Sequence, residues 1–226
     1  MTEHDIKIQI CDICRKMWQS GWVAANDGNV SVKIETNRFL VTPTGVSKND
    51  VTPEMIVKID HQFSVIDVCQ SSVRPSSETK MHLRCYTERE DINAVIHAHP
   101  IAATAFAVAN KPLDDYSMIE TVLTIGSVPV TPYATPSTDE VGDSIAPFLS
   151  EHDVLLLLNH GALTVGADLI TAYHRMETLE HWAKIILNAH IIGGAKEITR
   201  QNIEKLCDMR EQYGIIGRHP RYKKYS

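Results

Sequence analysis

The chain has 226 residues, 43% of them hydrophobic, which is enough to bury a core of its own, and it reads as a single domain over 1–226. A formal net charge of −6 lacks the surplus of Lys and Arg that neutralising a nucleic-acid backbone requires, which argues against DNA or RNA as partners. No stretch reaches the roughly 18 apolar residues of a membrane-spanning helix, the first residues (MTEHDIKIQ) lack the basic flank and apolar run of a signal peptide, and five cysteines, an odd number, fit a reducing cytoplasm.

Ile6, Ile10, Ile13 and Met17 share one helical stripe that stops at Ser20–Gly21. Cys11 and Cys14 form a C-x-x-C pair with no second pair to follow it, which reads as helix wall rather than as a zinc or redox site. A Gly/Asn turn over Asn26 to Ser31 leads into a short strand; Phe39 to Val41, Met55 to Ile59 and Phe63 to Val68 follow as further strands. The pattern is helical from Ser77 to about Arg89, strand from Ala94 to His99, and helical again from Ala102 to Ala109. Asp114 to Pro136 has no clear period. Asp139 to Leu149 reads as a helix, Val154 to Leu158 and Leu163 to Val165 as strands, and a long helix capped by Asp168 runs to Gly193–Gly194. Thr199 to about Gln212 gives a last helix, before a basic, polar tail from Arg218 that is expected to be mobile unless a partner surface orders it. Strands mixed irregularly with helices suggest a sheet covered by helices rather than regular βαβ winding.

His97 and His99 end an apolar strand, where residues two apart point the same way. With 11 histidines in the chain, about half an H-x-H pair is expected by chance, so the pair alone says little. His160 has the same setting: it follows Leu155 to Leu158 and precedes Gly161. Three strand-end histidines make an N3 set with an open position, the pattern of catalytic zinc, whereas a structural zinc usually adds cysteines to a closed set of four. Glu78 follows Ser76–Ser77 at a helix start, where free backbone N–H groups favour anions; the two serines read first as ordinary caps, and alternatively as part of an anion pocket. Gly28–Asn29 and Thr44–Gly45 offer loops of the same small, polar kind, which lets a phosphate approach the backbone. The remaining histidines, His82 among them, read as surface or packing residues.

Taken in order, Gly28-Asn29-Val30-Ser31, Thr42-Pro43-Thr44-Gly45, Pro75-Ser76-Ser77-Glu78, His97-Ala98-His99, Pro132-Tyr133-Ala134 and His160-Gly161 resemble the class II aldolase family. The resemblance implies a three-layer α/β/α sandwich with a largely antiparallel central sheet, and a C4 homotetramer with active sites at subunit boundaries. It implies Zn2+ held by His97, His99 and His160, phosphate held by Gly28, Asn29, Thr44, Gly45, Ser76 and Ser77, and a catalytic carboxylate at Glu78. It further implies that a ketose 1-phosphate is cleaved to dihydroxyacetone phosphate and a short aldehyde. A pentulose-5-phosphate 4-epimerase, a dehydratase and a non-catalytic binding protein of the same fold are the alternatives. The family's tyrosine before a Met-Ile pair, contributed from a neighbouring subunit, is Ser117 here, with Tyr116 one residue off register. Tyr213 matches a tail tyrosine that helps cover the site.

Overall fold

The fold is described from a computed structural model covering residues 1–69 and 72–225. The first stripe forms helix α1 (Glu3–Gln19), and Thr2 caps it reciprocally with Asp5: the Thr2 hydroxyl accepts from the Asp5 N–H, and the Asp5 carboxylate accepts from the Thr2 N–H. Cys11 and Cys14 lie on its buried face, and burial pushes their thiols up to about 11 and about 12. Neither is then a nucleophile near neutral pH, and the C-x-x-C pair is helix wall.

Among the described residues eight strands form one sheet: β1 (Asn29–Glu35), β2 (Arg38–Val41), β3 (Val57–Ile59), β4 (Val65–Asp67), β5 (Ala94–Ala98), β6 (Val130–Thr131), β7 (Val154–Leu157) and β8 (Gly161–Gly166). Their order is β4-β3-β2-β1-β5-β8-β7-β6, and only the β6–β7 pair is parallel. The central strands are apolar on both faces because both faces are covered. Along β5, Ala94, Ile96 and Ala98 enter one core and Val95 the other; along β7, Val154 and Leu156 divide from Leu155 and Leu157 in the same way.

Helices α2 (Thr79–Glu88) and α5 (Asp139–Ile145) close one face. Helices α1, α3 (Ile101–Val108) and α6 (Leu169–Ile191) close the other, which completes the three-layer α/β/α sandwich. Two further helices, α4 (Ile119–Thr124) and α7 (Arg200–Met209), meet around Tyr116, Val122, Ile203 and Cys207.

Four expectations are corrected. The helix after the serines begins at Thr79, with Glu78 at the N-cap and no side-chain cap bond, so Ser76 and Ser77 are not caps. Met55 falls in a 3-10 turn, Pro53–Met55, ahead of the strand. The helix expected over Asp139 to Leu149 breaks at Ile145 into a 3-10 turn, Ala146–Phe148, because Pro147 cannot donate to an α-helical ladder. The basic tail, as far as Tyr225, packs on its own chain: Arg221 pairs with Glu204 and Asp208, both at 2.7 Å, and the Tyr225 N–H donates to Asp114 at 2.6 Å. Its charges find carboxylates of this chain, so no partner surface is needed to order it.

Candidate active site

The site residues gather at one end of the sheet because register puts them there. Asn29, the first residue of β1, pairs with His97 of β5, and Ala98 pairs with Ala162 of β8. His99 lies one residue beyond β5, its N–H held by the Trp22 carbonyl at 2.8 Å. Helix α3 starts directly after Pro100, and its first free N–H groups, at Ala102 and Ala103, donate to the buried carboxylate of Glu180 at 3.2 and 2.9 Å. That negative charge at a helix N-terminus fixes where the chain leaves His99. His160 closes the three-residue turn between β7 and β8; Asn159 takes the left-handed conformation there, with φ 56°. Gly161 follows without room for a side chain: a Cβ would lie 2.5 Å from the His99 ring and 2.6 Å from the Ala98 carbonyl.

The three imidazoles converge. The Nε2 atoms of His97 and His99 are 3.1 Å apart, and one nitrogen from each of His97, His99 and His160 falls within 4.8 Å of the others. His97 Nδ1 is 3.0 Å from the Ala162 carbonyl, which only accepts, so Nδ1 carries the proton and Nε2 its lone pair. His99 Nδ1 is 3.3 Å from the Asp27 carboxylate, with the same consequence. Two lone pairs facing each other at 3.1 Å call for a cation between them. Two nitrogens bound tetrahedrally at Zn–N distances near 2.0–2.1 Å would lie roughly 3.3 Å apart, so the residues present fit such an ion. Burial, and after it the like charge that a proton shared with His97 would bring, pulls His160 down to about 4; His99 is lowered for the same reasons. Both therefore stay in the neutral form that binds metal.

Glu78 points at the same centre, 3.2 Å from His97 Nε2 and 3.6 Å from His160 Nε2. Burial would raise its carboxyl, but positive charge facing it from the histidine cluster, His97 first and then His160 and His82, would hold it down to about 2, and a cation bound by the trio would supply that charge while the histidines stay neutral. The wall behind is polar and closed: buried His82 has its Nδ1 2.8 Å from Ser31 Oγ, which in turn is 2.8 Å from the Tyr86 hydroxyl.

Beside the histidines opens a cavity of about 210 Å³, bounded by Gly28, Asn29, Thr44, Ser76, Ser77 and Glu78. Backbone ties hold these loops together: Thr44 N–H donates to Arg74 at 3.0 Å and Ser76 N–H to Thr42 at 3.2 Å. Gly28 has φ 72°, and a Cβ on it would meet Val23 at 2.6 Å and the His97 carbonyl at 3.0 Å. Gly45 also turns with positive φ, but Thr44, not Gly45, lines the cavity.

Three lining residues escape the sequence reading. Asp27, which orients His99, looks like ordinary turn composition before Gly28. Asn26 does as well. Ser137 is 60 residues from Ser77, yet their hydroxyls are 2.8 Å apart, a contact with no local signal. The tyrosines are not brought to the cavity. Tyr213 is exposed beyond α7. Tyr116 is completely buried, donating to the Arg221 carbonyl at 2.7 Å and accepting from the Lys223 N–H at 2.6 Å, because the tail that was expected to be mobile lies over it.

Gly161→Ala is expected to lower metal affinity by on the order of 10–100-fold, the range for groups that orient ligands, because either the His99 ring or the β5 terminus must move. Metal titration alongside a melting curve checks this. Unchanged affinity in a folded variant would show that the contact gives way harmlessly.

Comparison with known proteins agrees with this geometry: residues 8–187 match the Class II Aldolase and Adducin N-terminal domain, and the chain belongs to that family. It is an enzyme of the lyase type that the family's aldolases represent. It is similar to L-fuculose phosphate aldolase of Escherichia coli O6:H1, with 32% identity over 95% of this chain and 98% of the relative. It is also similar to 3-oxo-tetronate 4-phosphate decarboxylase of Pectobacterium atrosepticum, with 29% identity over 91% of this chain and 94% of the relative. Among solved structures, an L-fuculose 1-phosphate aldolase superposes with a TM-score of 0.85 at 29% identity, covering 93% of this chain and 98% of that one. No helix among the described residues is long and apolar enough to cross a membrane.

Proposed function

We propose that this chain is a zinc-dependent aldolase that cleaves a ketose 1-phosphate, such as L-fuculose 1-phosphate or a similar deoxy-ketose or pentulose 1-phosphate. The products are dihydroxyacetone phosphate and a short aldehyde such as L-lactaldehyde. The enzyme works in the cytoplasm as a homotetramer with active sites at subunit boundaries. The observation that carries the reading is the ionised Glu78 carboxylate 3.2 and 3.6 Å from two nitrogens of the histidine trio, at the mouth of a cavity edged by small hydrogen-bond donors. A Zn2+ ion held by His97, His99 and His160 would supply Lewis acidity to the ketone oxygen and the hydroxyl oxygen next to it. Asn29, Thr44, Ser76 and Ser77 bind and orient the phosphate, which sets the reacting carbon against Glu78. In the condensation direction Glu78 takes a proton from C3 of dihydroxyacetone phosphate, and in cleavage it returns that proton once the C3–C4 electron pair has come back to C3.

Cleavage also needs an acceptor for the proton of the C4 hydroxyl. Within this chain Tyr116 offers none, because its hydroxyl lies under the tail and donates to the Arg221 carbonyl. That observation favours one second reading, decarboxylation of a 3-oxo acid 4-phosphate. Its leaving group departs as CO2 from a carboxylate that is already ionised, so the only proton required is one that Glu78, ionised at rest, takes from water and passes to the carbon that CO2 leaves. Both reactions yield dihydroxyacetone phosphate. The test is therefore to supply metal-loaded protein with L-fuculose 1-phosphate, ribulose 1-phosphate, ribulose 5-phosphate and a 3-oxo-4-phospho acid, and to identify what accompanies dihydroxyacetone phosphate. An aldehyde supports the aldolase, CO2 the decarboxylase, and an epimer without dihydroxyacetone phosphate removes both.

A further inference from the structure

Lys48 is unused by this chemistry, yet its placement is unusual. It follows the Thr44–Gly45 turn and is 1% exposed, among the largest fully buried side chains of the protein. Lysine is almost never fully buried unless it is paired. Here the ammonium donates to two backbone carbonyls, those of Asn26 and Val46, both at 3.1 Å. Asn26 belongs to the loop that presents Gly28 and Asn29, and Val46 to the loop that presents Thr44. One buried cation therefore ties together two of the loops that line the cavity.

The cavity explains why a charge is useful there. Its described lining contains two carboxylates, Asp27 and Glu78, and neither a lysine nor an arginine. Asn29, Thr44, Ser76 and Ser77 orient a phosphate but bring no charge. A doubly negative phosphate is opposed by both carboxylates, and the histidine trio offsets this only through its metal. An ammonium shut away from water acts through low-dielectric protein, so its field reaches further than that of a surface lysine. Burial pulls its ammonium below the usual lysine range, and Cys14 and the Asp27 carboxylate oppose that shift.

We propose that Lys48 is the positioning residue for the substrate phosphate: it clamps the Asn26–Asn29 and Thr44–Val46 loops and supplies the positive field that lets a dianionic ester, rather than a neutral polyol, settle between them. This rests on the reading of the cavity as a phosphate site. Tying the loops by an uncharged contact would hold their shape, but it would not prefer a phosphorylated ketone over its unphosphorylated counterpart.

The test uses the metal-loaded full chain with Lys48→Met, which keeps the length and removes the charge, and Lys48→Gln, which keeps a donor and removes the charge. Binding of inorganic phosphate and of dihydroxyacetone phosphate is measured by calorimetry. Condensation with lactaldehyde is followed using dihydroxyacetone phosphate and, separately, unphosphorylated dihydroxyacetone. Both variants should weaken phosphate binding and raise KM for dihydroxyacetone phosphate by tenfold or more. Metal content, kcat and the turnover of dihydroxyacetone should stay within a few-fold of the wild type. Lys48→Gln carries the test if Lys48→Met fails to fold. A folded variant that binds phosphate as the wild type does, or that loses both substrates equally, overturns the role of Lys48 while leaving the phosphate site standing. A metal-loaded wild type that binds neither inorganic phosphate nor dihydroxyacetone phosphate overturns both.

Discussion

Glu78→Gln should lower kcat by about 10²–10⁴-fold, the range lost when a positioned general acid–base group is removed, while KM for the phosphorylated substrate and the metal content change little. The amide has nearly the same shape as the carboxylate, and Glu78 makes no cap bond to α2, so the helix start does not depend on its charge. What disappears is a base held ionised 3.2 Å from His97 Nε2. A loss confined to kcat marks an interaction made only in the reacting state. Steady-state kinetics with metal analysis decides the matter, and an undiminished kcat would remove Glu78 from the chemistry.

Removing the metal should have the larger effect. Chelation of the wild type is expected to abolish turnover and zinc to restore it. His160→Ala should retain less than one metal per chain and fall by roughly 10³-fold or more, since Lewis-acid stabilisation is worth several kcal/mol. His160 is the cleanest ligand to delete: it sits on a turn with its side chain partly exposed, whereas His97 is fully buried and its loss would leave a cavity as well. Metal-loaded His160→Ala with wild-type turnover would show that the trio does not carry the reaction.

Much of this site is legible in the sequence because its parts are local. A strand-end histidine announces itself by the apolar run before it and the Pro or Gly after it, as at His99–Pro100 and His160–Gly161. The apolar stripe of α1 is local in the same way, with Ile6, Ile10, Ile13 and Met17 recurring at helical spacing. What the sequence hides depends on long-range contact. Helix α4 and strand β6 are only six and two residues long, too short to show a period. They are fixed by the Leu113–Val128 bridge and by pairing with β7. The tail carries only a basic composition, and nothing local says that Glu204, Asp208 and the Tyr116 hydroxyl await it. Ser76 and Ser77 look like caps because Ser before a helix usually is one; Glu78 takes the cap position instead, and Ser77 turns to Ser137. Nothing in the local sequence marks Lys48 as buried; that follows only from the closed fold.

Deuterium exchange into dihydroxyacetone phosphate tests the central claim most directly, because it needs neither the aldehyde nor knowledge of the natural substrate. Metal-loaded protein in D2O, given dihydroxyacetone phosphate alone, should place one deuterium at C3. That exchange should vanish on chelation and in Glu78→Gln. Metal-loaded wild-type protein that leaves the C3 hydrogens untouched would contradict the assignment of this carboxylate and this histidine trio to one proton-transfer site.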